Sequence, residues 1–145
     1  MKRAFFVALA IAATASMAFA QADVITERKA IMKGNADATR TGAQLAKGEV
    51  PFDQQKAAEV FKGIAEGMDR FPTLFPEGTH TGDTRAAPAI WQDPQGFAAS
   101  SEKIFKEASQ AAQTVTDLAS FQAAFQSVTA NCASCHQTYR TDPPR

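Results

Sequence analysis

The feature that most constrains this chain is a pair of cysteines three residues apart, followed at once by a histidine. Cys132, Cys135 and His136 stand near the end of a 145-residue sequence that contains no other cysteine. Residues three apart on a helix share a face, so both thiols can reach one porphyrin edge and add to its two vinyl groups. The next residue can direct an imidazole nitrogen at the iron, and C-x-x-C-H is the pattern of c-type haem attachment. The sequence therefore predicts one covalently bound haem c, with His136 as an iron ligand.

Three other uses of two cysteines fit these residues less well. A redox-active C-x-x-C pair belongs at the start of a helix near a β-α-β unit, whereas this pair falls at the end of a helical pattern. A structural zinc ion takes four ligands, and the only other histidine in the chain is His80. A disulfide between adjacent helical turns would close too short a loop to stabilise the chain much.

The first twenty residues have the layout of a secretory signal peptide. Lys2 and Arg3 supply the positive start, an apolar segment over 5–17 follows, and residues 18–20 form an A-x-A cleavage site. The apolar segment is short for a membrane span, which needs about 20 residues. The sequence thus predicts a signal peptide over 1–20, export to the periplasm, and no membrane attachment after cleavage.

Composition restricts what the remaining chain, 21–145, can do. Without Lys2 and Arg3 it carries 13 basic and 15 acidic side chains, a balance that gives no reason to expect nucleic acid as a partner. A chain of this length can bury one modest core. No carboxylate pair and no serine–histidine pair stands in a catalytic pattern, so we expect a protein that is not an enzyme and has no catalytic residues.

Apolar residues recur at helical spacing in four segments, and no window alternates as a strand would. The predicted helices cover 23–47, 53–70, 94–115 and 118–140. Their predicted N-caps are Asp23, Asp53, Asp93 and Asp117. Prolines and glycines make 71–93 a long connection, whose apolar residues we expect to pack on the rest of the domain. Short links within the first and the last helix pair favour antiparallel neighbours, so the predicted fold is all-α, an antiparallel four-helix bundle over 21–145.

A four-helix bundle that ends in C-x-x-C-H resembles the cytochrome c prime family, the class II cytochromes c. The supporting segments, in the family's order, are ITERKAIMKGN, AKGEVPFDQQ, FPTLFPEGTHTG, AIW and CASCHQTYR. The resemblance places Met32 on the distal side of the iron and Phe75 against the haem. It also implies a contact between Arg28 and a haem propionate. Arg140, four residues after His136, is predicted to contact a propionate or to line the proximal pocket, and a solvated surface position is the alternative for both arginines.

The family has two branches, and the sequence leaves both open at Met32. In the low-spin branch the methionine sulfur is the sixth iron ligand and the protein transfers electrons to redox partner proteins. In cytochrome c prime proper the iron is five-coordinate and high-spin, and the protein binds nitric oxide or carbon monoxide. Methionine would then be a packing residue, a role that suits its flexible side chain. The segments IMKGN and AKGEVPFDQ resemble the low-spin branch more closely, so an electron carrier with iron ligands His136 and Met32 is the main prediction. Whether two copies pair through the first two helices, as in many family members, stays open.

Overall fold

The computed structural model describes the backbone over 2–142 and the side chains over 23–142. Its elements are α1 Lys2–Ala46, α2 Gln54–Arg70, a 3-10 turn Phe71–Leu74, α3 Ala89–Gln92, α4 Pro94–Thr114 and α5 Leu118–Tyr139. Within 2–142 the only strand-like pairing is an isolated bridge between Ala86 and Arg140. The all-α prediction is confirmed. Among the described residues, no helix is both long and apolar enough to cross a membrane.

The first helix begins earlier than predicted. Its backbone is helical from Lys2 through Ala46, so the amides around Asp23 already lie within a helix and the predicted N-cap at Asp23 is wrong for the full chain. The helix ends close to the predicted position, because Gly48 has a φ of 69°, a left-handed conformation that favours glycine. The side chains of the predicted signal peptide and of its cleavage site at 18–20 lie outside the described residues.

The other three predicted N-caps are confirmed. The carboxylates of Asp53 and Asp93 each accept a hydrogen bond from the backbone N–H three residues on, at 2.9 and 3.0 Å. Asp117 accepts the backbone N–H of Ser120 at 2.8 Å, while the Ser120 hydroxyl accepts the backbone N–H of Asp117 at 3.2 Å. This reciprocal pair is a capping box, which satisfies two of the amides that a helix start leaves free.

One hydrophobic core lies between α2, α4 and α5, with the end of α1 packed against it. Its largest fully buried apolar side chains are Phe61, Phe121, Leu45, Ile64, Ile104 and Val128. The rings of Phe61 and Phe121 lie 5.3 Å apart and join α2 to α5. Fully burying a side chain of this kind contributes about 1.5–3 kcal/mol, so the apolar stripes predicted on these helices hold the bundle together.

The connection between α2 and α4 is more ordered than the loop predicted over 71–93. It contains the 3-10 turn and the short helix α3, and it folds down on the bundle as expected. The indole N–H of Trp91 donates to the carbonyl of Phe75 at 3.1 Å, which ties the two halves of the connection together.

The same connection is also fastened to the end of α5. The backbone N–H of Ala87 donates to the carbonyl of Tyr139 at 3.0 Å, and that of Thr141 donates to the carbonyl of Arg85 at 2.9 Å. These two bonds fix the C-terminal end of the helix that carries the C-x-x-C-H motif.

Candidate haem-binding site

Cys132 and Cys135 lie on the last turns of α5, on the side that packs against the core. Both are half-buried free thiols, and both contact the buried apolar cluster. Burial raises the pKa of both thiols, that of Cys135 to about 11. At neutral pH the two sulfurs are therefore neutral, in apolar surroundings that suit the edge of a porphyrin.

His136 is half-buried beside them, with an arginine against its ring. Burial, and then the charges of Arg140 and Arg85, lower the pKa of His136. A lowered pKa favours the neutral imidazole, which is the form that ligates metal ions. Nη1 of Arg140 lies 3.4 Å from Nδ1 of His136. Arg140 is itself exposed, which fits the solvated surface alternative, and both of its predicted haem roles stay predictions.

Contacts near one end of the bundle fix how α1 and α5 face each other. The side-chain amide of Gln122 donates to the carbonyl of Ala46 at 2.6 Å. One turn further along both helices, the ring of Phe125 lies so close to Gly42 that an added Cβ would approach two of its ring carbons to 2.9 Å. The second contact comes earlier in α1 but later in α5 than the first contact, so the two helices are antiparallel.

This register places Met32 at the level of the haem motif. Met32 is ten residues before Gly42 and Cys135 is ten residues after Phe125, so each lies about 15 Å along its helix from the contact. Phe125 and His136 are eleven residues, about three full turns, apart, so they lie on the same side of α5. Met32 is half-buried and packs against the core. The predicted iron ligands thus lie at about the same level along α1 and α5.

Arg28, one turn before Met32, is buried and not solvated; its exposed fraction is 4%. Its Nε donates to the carbonyl of Leu74 at 2.7 Å, its Nη1 donates to the carbonyl of Thr79 at 2.9 Å, and its Nη2 donates to the Thr79 hydroxyl. The guanidinium also lies over the Phe75 ring. Because the side chain is buried, the surface alternative for Arg28 is excluded. Three of its five N–H groups donate to these protein oxygens, so two remain that could donate to a propionate.

Phe75 belongs to an aromatic cluster at the same end of the bundle. Its ring lies 4.8 Å from that of Phe97, which in turn lies 5.2 Å from the ring of Tyr139. Tyr139 is three residues after His136 on α5. The cluster therefore connects Phe75 to the helix that carries the haem motif, and the contact of Phe75 with the haem stays a prediction.

Two features near the site were not predicted from the sequence. Arg85 donates from Nε and Nη2 to the carbonyl of Thr141, at 3.1 and 2.9 Å, and its charge reaches His136. No local pattern could indicate this, because the two partners are 56 residues apart. His80 is exposed, as expected, and packs against Trp91 with 5.8 Å between the ring centroids. Within 23–142 no cluster of three or more histidine, cysteine or carboxylate side chains could hold a metal ion.

Comparison with known proteins decides the family. The family model described as cytochrome C' matches residues 23–140. The chain belongs to the cytochrome c′ family. It is 41% identical over 124 residues to cytochrome c′ of Rhodopseudomonas palustris, with 85% of each chain covered. It is 36% identical over 117 residues to cytochrome c-556 of Agrobacterium tumefaciens, which covers 80% of this chain and 95% of that protein.

The solved structures agree with this assignment. The structure of cytochrome c′ from Rhodopseudomonas palustris matches with a TM-score of 0.80 at 39% identity, covering 84% of this chain and 98% of that chain. The predicted family and four-helix-bundle fold are confirmed. Cytochromes of this family carry one covalent haem c and serve in electron transfer or gas binding. The residues present fit that cofactor, since two unpaired thiols and a neutral imidazole share the end of one helix, and a methionine lies at their level.

Proposed function

We propose that this cytochrome transfers electrons through a low-spin haem iron held by His136 and Met32. Cys132 and Cys135 anchor the haem through thioether bonds. The observation that carries the proposal is the antiparallel register of α1 and α5, which supports Met32 and His136 as the two residues that would hold the iron, because it brings them to about the same level of the bundle. Ligation by methionine and histidine raises the reduction potential of a c-type haem, which suits an electron carrier.

Each residue of the site has a simple task in this function. Haem c supplies a one-electron couple between ferric and ferrous iron when it is bound. His136 offers a neutral nitrogen, because its lowered pKa keeps the ring unprotonated. Met32 offers a soft sulfur that favours the reduced metal, and the apolar core beside it limits the access of water. Electron transfer requires neither a nucleophile nor a proton donor, so we propose no catalytic residues and no enzyme activity.

We further infer that the mature chain, 21–145, works in the periplasm with other redox proteins as partners. The layout of 1–20 supports export, and the family match begins at residue 23, just after the predicted cleavage site. Attachment of haem after export would also give both cysteines a covalent use in an oxidising compartment, where unpaired thiols are liable to oxidation.

A second function is favoured by one observation. The relative named cytochrome c′ is more similar to this chain, at 41% identity, than the cytochrome c-556 at 36%. In this alternative the iron is five-coordinate and high-spin, Met32 is only a packing residue over it, and nitric oxide or carbon monoxide binds there.

The visible absorption spectrum of the purified haem protein distinguishes the two functions. It is recorded oxidised and then reduced, before and after carbon monoxide is added. Sharp low-spin bands that the gas leaves unchanged would support ligation by Met32 and electron transfer. Broad high-spin bands that shift at once with the gas would support gas binding. A colourless protein with two titratable thiols would contradict both.

A further inference from the structure

A half-buried carboxylate on α4 holds the haem-bearing helix at two points. Oε2 of Glu107 accepts a hydrogen bond from the Ser127 hydroxyl at 2.8 Å and another from the side-chain amide of Asn131 at 2.6 Å. Its other oxygen, Oε1, lies 4.0 Å from Nζ of Lys103. Two donors from α5 converge on this one oxygen, so Glu107 links α4 to α5 at two positions.

The link ends beside the cysteines. Asn131 directly precedes Cys132, and Ser127, Asn131 and Cys135 follow one another at steps of four residues. Such residues lie on the same side of a helix. The two side chains that Glu107 binds therefore lie on the same side of α5 as Cys135.

We propose that Glu107 is a positioning residue for the haem. By holding Ser127 and Asn131 on one oxygen, it fixes the rotation of the last turns of α5 and so the direction of the His136 imidazole. This role rests on the proposed attachment of haem to this helix. Because both hydrogen bonds converge on a single oxygen, the role depends on an acceptor at that point and not on the negative charge.

Three variants of the haem protein test this role. Glu107→Ala removes the acceptor, and Glu107→Gln removes the charge but keeps one oxygen that can accept both bonds. Glu102→Ala is the matched control, since Glu102 lies on the same helix, is exposed and pairs only with Lys106 among the described residues, at 2.6 Å. The readouts are the haem-methyl proton NMR shifts of the oxidised protein, which report the orientation of the axial imidazole, and the reduction potential.

We expect Glu107→Ala to change the pattern of haem-methyl shifts and the potential, and Glu107→Gln to retain the wild-type pattern. Glu102→Ala should leave both readouts unchanged. Should Glu107→Ala not accumulate as a folded protein, Asn131→Ala removes one of the two bonds and is expected to change the methyl pattern in the same sense.

Two results would overturn the role of Glu107. One is a wild-type methyl pattern in Glu107→Ala, or in Asn131→Ala where that variant replaces it. The other is an equal change in the alanine and glutamine variants, which would assign the effect to charge alone. A wild-type chain that carries no covalent haem by mass spectrometry would instead overturn the proposed function, and this role with it.

Discussion

The guanidinium carbon of Arg28 lies 4.0 Å from the centroid of the Phe75 ring, so a buried cation on α1 rests on the segment that follows α2. The same guanidinium donates to the carbonyl of Leu74 and to both oxygens of Thr79. The Arg28 side chain therefore binds residues 74–79 to α1, the helix that carries Met32. These contacts do not depend on whether its two remaining N–H groups donate to a propionate.

Replacing Arg28 with alanine should lower the free energy of unfolding by about 3 kcal/mol. The substitution leaves buried carbonyls without donors, at about 1–3 kcal/mol for each unsatisfied group, and it also removes the cation–π contact with Phe75. Urea denaturation measures the change. Lys29→Ala is the matched control, because Lys29 is exposed and pairs with an exposed Asp83, and its loss should be less than about 1 kcal/mol. Equal losses in the two variants would contradict the fastening role.

The sequence predicted the local features of this region but not the contacts between them. The caps Asp53, Asp93 and Asp117 could be predicted because an N-cap depends on residues three positions away. The contact of Arg28 with Phe75 joins residues 47 positions apart, and it depends on a 3-10 turn that the sequence indicated only as a loop. The family resemblance predicted that Arg28 and Phe75 lie near the haem, but nothing in the sequence indicated that the two side chains are in contact.

The contacts between α1 and α5 could not be predicted either, because they also join residues that are far apart in the sequence. From the sequence alone, a glycine inside a helix such as Gly42 indicates only a weaker helix, whereas in the structure an added Cβ at Gly42 would overlap the Phe125 ring. Glu107 was not predicted either, because a single glutamate on a helix surface resembles any solvated carboxylate until its partners on another helix are known. The N-cap assigned to Asp23 failed for a different reason: the preceding segment, predicted to be cleaved, is itself helical in the full chain.

Met32→Leu tests ligation separately from packing. Leucine fills a similar volume but has no sulfur, so under the proposed function the oxidised and reduced spectra should change from low-spin to high-spin and the reduction potential should fall. The reduced variant should then bind carbon monoxide rapidly. Visible absorption and a redox titration measure both effects.

Met32→Ala is the companion to this variant. It should give the same high-spin spectrum, together with a further loss of stability because the half-buried side chain is removed. If Met32→Leu keeps the wild-type spectrum, Met32 is a packing residue and not a ligand.

The cap of α5 should make stability depend on pH in the acid range. The backbone N–H of Ser120 is the main cause that lowers the pKa of Asp117. Because this pKa is lower in the folded protein, the contribution of the cap is present above the unfolded-state pKa, about 4, and is lost as the pH falls through the folded-state value. Asp117→Asn can accept the same hydrogen bond without titrating.

The measurement is urea denaturation of the wild type and of Asp117→Asn between pH 7 and pH 3. The stability of the wild type relative to the variant should be greatest near neutral pH and should decrease as the pH falls below about 5. Other carboxylates with lowered pKa values, such as Asp37, are present in both proteins and cancel in the difference. A difference that stays constant across this range would contradict the pKa assigned to the cap.

Two glycine-to-alanine substitutions on α1 should have opposite effects on stability. Alanine is favoured over glycine inside a helix by about 1 kcal/mol. At Gly34 no atom beyond the adjacent residues and the backbone of its own helix lies within 4 Å of an added Cβ, so Gly34→Ala should stabilise the protein by up to that amount. At Gly42 the Cβ would overlap the Phe125 ring, and overpacking of this kind typically costs about 1–3 kcal/mol, so Gly42→Ala should destabilise it.

The effect at Gly42 should also reach the haem site. Moving α1 away from α5 at this contact changes the separation of the helices that carry Met32 and His136, so under the proposed function Gly42→Ala should weaken the low-spin bands and speed up carbon monoxide binding. The double variant Gly42→Ala, Phe125→Leu relieves the overlap and should restore part of both the stability and the spectrum. A Gly42→Ala protein as stable as Gly34→Ala, with an unchanged spectrum, would show that this contact does not set the distance between α1 and α5.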